Sequence, residues 1–316
     1  MLPFAAMSAT SDAPAAYRNA AGARNPVALL TEAIDEVRSR RRLIGYLVRA
    51  DMKKRGADTL LGNIWWVLDP LLQMAVYYIF VTILARGLYP DYALFIFSAI
   101  LPWKWFNAVI TDATGSVVKS EQLIKQIAFP KIVLPISSAT AGVVGFAFGL
   151  IPLLAVILVT DAGNAGTPGS ITRLSPYFLL IPLIAVIQYV FTIAVAILVS
   201  AANVFFRDLG NVIRHFLRLW FYLSPGLYAL ERLDGISFIQ QNPIVRDLIG
   251  ANPFAILFEA YRSVIYGVPA QGDLPATGPV PPDWTGLAVL LVASLVFLAV
   301  STTIFKRLEP TFAKAL

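Results

Sequence analysis

Residues 132–159 read IVLPISSATAGVVGFAFGLIPLLAVILV, 28 consecutive positions without an Asp, Glu, Lys, Arg or His. About twenty predominantly apolar residues carry a helix across ~30 Å of hydrocarbon, so this stretch is predicted to span a membrane. Working outward from it, five further blocks of similar character occupy 64–85, 92–113, 176–204, 213–231 and 284–305, separated by charged or Pro/Gly-rich turns. The fold class is therefore an all-α membrane protein with six transmembrane helices. Composition agrees, with 58% hydrophobic and 14% charged residues across 316 positions, where soluble domains carry about a quarter charged. An ordinary soluble enzyme is excluded.

The net charge of +6 does not gather on one soluble face, which argues against nucleic acid as a partner. Threading the six spans puts eighteen of the 25 Lys and Arg on one side, five on the other (Arg86, Arg173, Arg232, Arg246 and Arg262) and two inside spans (Lys104 and Arg218). Because cytoplasmic loops carry the basic excess, both termini are expected in the cytoplasm.

Residues 1–25 lack a basic start followed by an apolar core and read as a disordered tail, not a secretory signal. Asn25-Pro26 then opens a helix, Asn as cap and Pro at the first position, with Leu30, Ala33, Ile34 and Val37 at helical spacing. A second amphipathic stretch through Ile44, Leu47 and Val48 carries Arg41, Arg42, Arg49, Lys53, Lys54 and Arg55. Residues 26–60 thus suit a membrane surface, apolar faces in acyl chains and cations among phosphates. The transmembrane domain is placed at 61–308 and a cytoplasmic tail at 309–316. Between spans five and six, Asn242-Pro243 and Asn252-Pro253 each start a helix too short to cross, the kind that enters the membrane and returns.

Several absences constrain the chemistry. The chain has no G-x-x-x-x-G-K-[ST] phosphate loop, no H-E-x-x-H and no D-x-D, has no cysteine, and has His215 as its one histidine. No catalytic residue, metal site or cofactor is expected in this chain, and if it drives transport the energy comes from another one. In the first span Trp66, Asp69, Gln73, Tyr77 and Phe80 fall on one helical stripe of about 80° at ~100° per residue, which reads either as a translocation path or as helix packing with interfacial aromatics. Trp103 and Lys104 in span two, the latter costly to bury, and Tyr222 and Tyr228 around span five are further path candidates, with Asp112 as a possible partner for Lys104. Arg214 and Arg218 on span five either contact an anion or extend to the interface. Two short interior segments, one with Glu121, Leu123, Ile124 and Lys125, the other with Phe206, Arg207 and Asp208, read as surfaces that take a push from a motor, or as ordinary turns.

The order and spacing of several pieces resemble a known family. They are Thr59-Leu60-Leu61-Gly62-Asn63-Ile64-Trp65 with Pro70-Leu71-Leu72, Leu101-Pro102-Trp103, Leu123-Ile124-Lys125 with Phe129-Pro130-Lys131 and Pro135, Asn203-Val204-Phe205-Phe206-Arg207-Asp208-Leu209, Ser224-Pro225 with Tyr228, and Asn252-Pro253 with Glu259-Ala260-Tyr261-Arg262. Together they resemble the type-2 ABC exporter permeases that export lipid-linked polysaccharides such as O-antigen, capsule, teichoic acid and galactan. Ala50 between Arg49 and Asp51, Gly56 after Arg55, and Gly226 after Pro225 depart from the family pattern.

The resemblance implies a homodimer of six-span permeases with two copies of a cytoplasmic ATPase, which would hold ATP and Mg. It implies that the segments at Glu121–Lys125 and Phe206–Asp208 are coupling helices and that the short helices after span five are gate helices. The implied cargo is a glycan on a polyprenyl diphosphate, whose headgroup Arg41, Arg42, Arg49, Lys53 and Arg55 would collect, with cell-wall galactan one such cargo. The rival functions are a type-2 exporter of a drug or simple lipid, a membrane enzyme on polyprenyl-linked sugars, which would need acidic residues or a histidine gathered at one interface, and a passive channel.

Overall fold

The computed structural model describes residues 25–56, 61–84, 91–165, 171–268 and 277–316, without the side chains at 55, 56, 63, 66, 80–84, 231, 232 and 234. The expected tail up to residue 24 and the side chains of Arg55, Trp66 and Phe80 lie outside that description. Every regular element among the described residues is helical.

The chain enters as read from sequence. In α1 (Pro26–Ser39) the Asn25 side chain accepts a hydrogen bond from the Val27 N–H at 3.0 Å, and Pro26 takes the first turn, where no donor is needed. The side chains that α1 buries are Leu29 and Ala33, however, while Ile34 stays 65% exposed. The basic α2 (Arg41–Gly56) follows and packs along α6, with Ile44 buried and Arg41, Arg42, Arg49, Lys53 and Lys54 exposed.

The bundle then runs through α3 (Trp65–Leu84), α4 (Tyr92–Lys119), the short α5 (Glu121–Gln126), α6 (Val133–Asn164) and α7 (Ile181–Phe205), the last preceded by a 3-10 turn over Pro176–Leu180. Among the described residues four segments are long and apolar enough to cross a membrane: Tyr92–Lys119, Val133–Asn164, Pro176–Phe205 and Trp284–Ala315. Of these, α4 is central. It packs against α6 and α7, and one face after another is closed off, from Leu94 through Ile100 to Phe106 and Ala113. A buried polar bond crosses this core, Gln188 Nε2 donating to the Pro102 carbonyl at 2.8 Å.

Span five departs from expectation. Instead of a helix over 213–231, α8 (Leu209–Leu223) has 15 residues, about 22 Å at ~1.5 Å per residue. It stops at Ser224-Pro225-Gly226, since Pro225 offers no N–H to continue the ladder. Gly226 suits the break for a second reason: a Cβ there would lie 3.1 Å from Phe221 and 3.2 Å from Phe258. Beyond the break come α9 (Ser237–Gln241), α10 (Pro243–Gly250), α11 (Pro253–Ile265), α12 (Trp284–Leu308) and α13 (Phe312–Ala315). Of the two Asn-Pro starts, Asn252 caps its helix through the Phe254 N–H at 3.0 Å, whereas Asn242 makes no such cap. Asn252 also accepts from Trp220 Nε1 at 3.0 Å and donates to Ser224 Oγ at 2.7 Å, which fastens α11 to the end of α8.

Two apolar clusters hold the bundle. The larger centres on α4 and α11. The second gathers Ala33, Ile44, Ile124, Phe129, Ile197, Phe305 and Phe312 from α1, α2, α5, the α5–α6 connection, α7, α12 and α13 at one end of the bundle. That end also carries Arg41, Arg42, Lys125 and Lys314, and is termed the basic end below.

Candidate functional site

Three regions gather the candidate residues. The first is a cavity of about 300 Å³ between α3, α4 and α6, whose walls include Trp65, Asp69, Lys104, Trp105, Gly142 and Gly145. Lys104 Nζ lies 3.9 Å from Asp69 Oδ2, so its partner comes from a neighbouring helix and not from Asp112 on its own. Gly142 and Gly145 keep the α6 wall open, and Trp105 fills the space at Gly142, where a Cβ would come within 2.9 Å of its Nε1. Trp103 does not line this cavity. The α11 helix folds back over it and packs it among Phe254 at 4.7 Å, Phe221 at 5.4 Å and Trp220 at 6.2 Å, leaving it 4% exposed.

The second region is the face shared by α3 and α8. Tyr77 lies close to Gln73 on its own helix and to Tyr222 on α8, and its ring stands 5.8 Å from Phe221. Beside this polar and aromatic contact, Val76, Ile79, Phe216, Leu219 and Tyr222 are each more than half exposed, and Arg214, His215 and Arg218 are exposed on α8. Tyr228 is half-buried just past the break. Gln73, Tyr77 and Tyr222 are thus brought together, while Asp69 and Lys104 belong to the separate cavity.

The third region is the basic end. On α5 the alternation of character is resolved into two faces: Ile124 is buried in the second cluster, and Glu121 and Lys125 point out, paired at 2.6 Å across one turn. This Lys125 bond, with a smaller contribution from the Arg207 guanidinium, holds the Glu121 carboxyl below its ordinary value, so the two interior segments lie near one another. The second is not a helix of its own. Phe206, Arg207 and Asp208 form the turn between α7 and α8, because the helical ladder breaks at Phe206, and all three are exposed, Phe206 to 64%.

Residues outside the candidate set hold these regions in place. Lys306, 5% exposed, donates to both Glu36 oxygens at 2.8 Å and to Glu309 at 2.9 Å and lies 3.2 Å from Glu32. Glu309 in turn accepts from the Lys131 backbone N–H at 2.6 Å, so α1, the end of α12 and the loop after α5 share one ionic knot. Burial is the strongest influence on Glu36 and raises its carboxyl despite the Lys306 bond. At the far end Arg262 and Arg173, expected as exterior cations, are both 1% exposed. Arg262 donates to the Pro225 carbonyl at 2.9 Å, pairs with Glu259 at 3.0 Å and lies 3.9 Å over the Phe95 ring, which braces the break after α8. Arg173 pairs with Asp91 at 3.1 Å, donates to the Tyr266 carbonyl and stacks on the Tyr266 ring. The signal in the sequence was their charge in apolar surroundings; the carbonyls they bond, Pro225 and Tyr266, lie 37 and 93 residues away.

No protein-family model matches the chain. Three curated relatives do, each an O-antigen export system permease protein RfbA. The one from Myxococcus xanthus is 29% identical over 283 residues, covering 90% of this chain and 98% of the relative. Two from Klebsiella pneumoniae are 30% and 27% identical over 275 residues, each covering 87% of this chain and 95% of the relative. At that identity and coverage, on a helical bundle with membrane-crossing helices and an exposed α5 and Phe206 turn, the chain belongs to the O-antigen export permease family, the polysaccharide branch of the type-2 ABC exporter permeases.

Proposed function

We propose that the chain is one half of a homodimeric permease that works with two copies of a separate cytoplasmic ATPase to move a polyprenyl-diphosphate-linked glycan, O-antigen-like or a cell-wall galactan, from the cytoplasmic to the exterior leaflet of the bacterial inner membrane. The observation that carries this reading is the α3–α8 face. Side chains such as Val76, Ile79, Phe216 and Leu219, exposed beside the Gln73–Tyr77–Tyr222 contact, combine an apolar surface for a second copy with rings and hydroxyls that sugars can slide along. In this reading α3 and α8 are the first and fifth of six spans and line the path, while Asp69 and Lys104 flank it.

The basic end faces the cytoplasm. Phe206, Arg207, Asp208 and the outer face of α5 at Glu121 and Lys125 meet the ATPase, which binds ATP and Mg, and Leu123 and Ile124 anchor α5 to the bundle. The exposed Arg41, Arg42, Arg49 and Lys53 of α2 collect the diphosphate at the inner leaflet, where each cation near an anionic surface contributes about 1 kcal/mol. The α9–α11 hairpins form the outer gate, braced by Arg262.

The test is to co-express the tagged chain with the ATPase encoded beside it and measure ATP hydrolysis by the purified complex. Stimulation by a polyprenyl-diphosphate glycan, and not by free glycan or a panel of drugs, is the expected result. A complex that ignores glycans and answers to drugs overturns the substrate assignment, and failure to capture any ATPase overturns the transporter assembly.

A further inference from the structure

Beneath α1 lies a groove of about 480 Å³ that no residue of α3 or α8 lines. Its roof is Ile34 and Val37 of α1 and its floor is Ile136, Ile197 and Leu298 of α6, α7 and α12. Apart from Arg38 and Thr302 its lining is entirely aliphatic, and it shares no residue with the Asp69–Lys104 cavity. Ile34 and Val37 overhang it because α1 turns Leu29 and Ala33, the next positions around the helix, into the bundle.

We infer that this groove is a resident-lipid site: it takes one acyl chain of an anionic phospholipid from the leaflet at the basic end, with the lipid phosphate on Arg38. The charge at the mouth selects the headgroup. Arg38 is exposed at the last turn of α1 and is followed by exposed Arg40, the cap residue of that helix. Two of the three carboxylates of α1, Glu32 and Glu36, are committed to Lys306, and the third, Asp35, does not line the groove. An arginine at such a mouth lays its stem along the apolar wall and offers a planar fork to phosphate. The same Lys306 contacts fix α1 as the roof, so the groove has a set width before any lipid enters. This site is distinct from the α2 cations assigned to the transported headgroup, and it requires only that the bundle sit in a membrane, not that the cargo be a glycan.

Native mass spectrometry of the detergent-purified full chain, titrated with palmitoyl-oleoyl phosphatidylglycerol or with phosphatidylcholine of the same chains, tests it. One phosphatidylglycerol per chain is expected to bind in preference to phosphatidylcholine. Arg38→Gln should weaken that lipid about tenfold, the loss of one charge-assisted contact. Ala299→Phe, which fills the groove, should abolish retention of both lipids, and Lys314→Gln, an exposed cation at the same end, should change nothing. Equal binding of the two lipids, or wild-type retention by both Arg38→Gln and Ala299→Phe, overturns the inference. The chain has no cysteine, so Ile34→Cys gives a single thiol in the roof. A disulfide-linked dimer through that position in membranes would hand the groove to a second copy and likewise overturn the lipid assignment.

Discussion

Lys306 and Glu36 stand 270 residues apart in the chain and meet through both carboxylate oxygens at 2.8 Å. With Glu309 bonded to the Lys131 N–H, this pair joins the amphipathic entry helix to the last membrane-crossing helix and to the loop that leads out of α5. Removing the ammonium takes away the cation that Glu32, Glu36 and Glu309 share. Lys306→Met is expected to destabilise the chain by about 3 kcal/mol, near the low end for breaking a buried pair because Glu36 still reaches water. Thermal unfolding in detergent, followed by tryptophan fluorescence, measures this, and an unchanged midpoint would remove the knot from the account.

The two glycines on the α6 wall are predicted to respond with opposite sign. A Cβ at Gly142 would lie 2.2 Å from Val109 Cγ2, whereas Gly145 has open space around its position. Gly142→Ala should cost about 1–3 kcal/mol through overpacking against α4, and Gly145→Ala should gain up to about 1 kcal/mol of helix propensity. The same unfolding assay on both variants separates them, and a shift of equal sign would contradict the packing described between α4 and α6.

Arg262 braces the break that ends α8. Arg262→Met removes the donor to the Pro225 carbonyl and the cation beside the partly exposed Glu259, and a loss of about 3 kcal/mol is expected. Arg262→Lys keeps the charge but lacks the planar fork that reaches the carbonyl and the carboxylate together while lying on Phe95, so it should recover only part of that loss. Full recovery by Lys would show that charge alone suffices there.

Which parts of this could be read from the letters depends on the range of the forces involved. The starts at Tyr92, Pro176 and Trp284 coincide with the expected spans, and Asn25-Pro26 caps α1, because burial pattern and capping are local and leave local marks. The end of α8 was overrun. Leu227 and Ala229 continue the apolar pattern, so composition alone does not register that Pro225 breaks the helix and Arg262, 37 residues on, secures the broken end. Lys104 shows the same limit, its apparent partner Asp112 being in sequence reach while Asp69 is the partner in space. Trp103 stands next to Lys104 in the chain, and nothing in its neighbourhood there reveals that α11 will lie over its ring. Charge counting placed Arg173 outside the membrane, and nothing nearby in the chain signals that Asp91 and Tyr266 will enclose it.

For the working cycle, Arg207→Ala and Asp208→Ala are expected to lower transport and to uncouple ATP hydrolysis from substrate while the permease still folds, since both side chains are exposed at the basic end. Comparing substrate-stimulated and basal ATPase rates of the complex with the unfolding midpoint of each variant checks this. Normal transport by both variants would remove the Phe206–Asp208 turn from the contact with the ATPase.

The central claim is tested most directly by reconstituting the chain and its ATPase into sealed vesicles with a fluorescent polyprenyl-diphosphate glycan, ATP being supplied on the side where the ATPase faces out, and following the glycan to the opposite leaflet by its loss of accessibility to a membrane-impermeant quencher. Loss of accessibility that requires ATP, and that Tyr77→Ala with Tyr222→Ala slows without unfolding the chain, is the predicted result. Movement of the glycan that is indifferent to ATP, or no movement while a simple lipid crosses, would contradict the account.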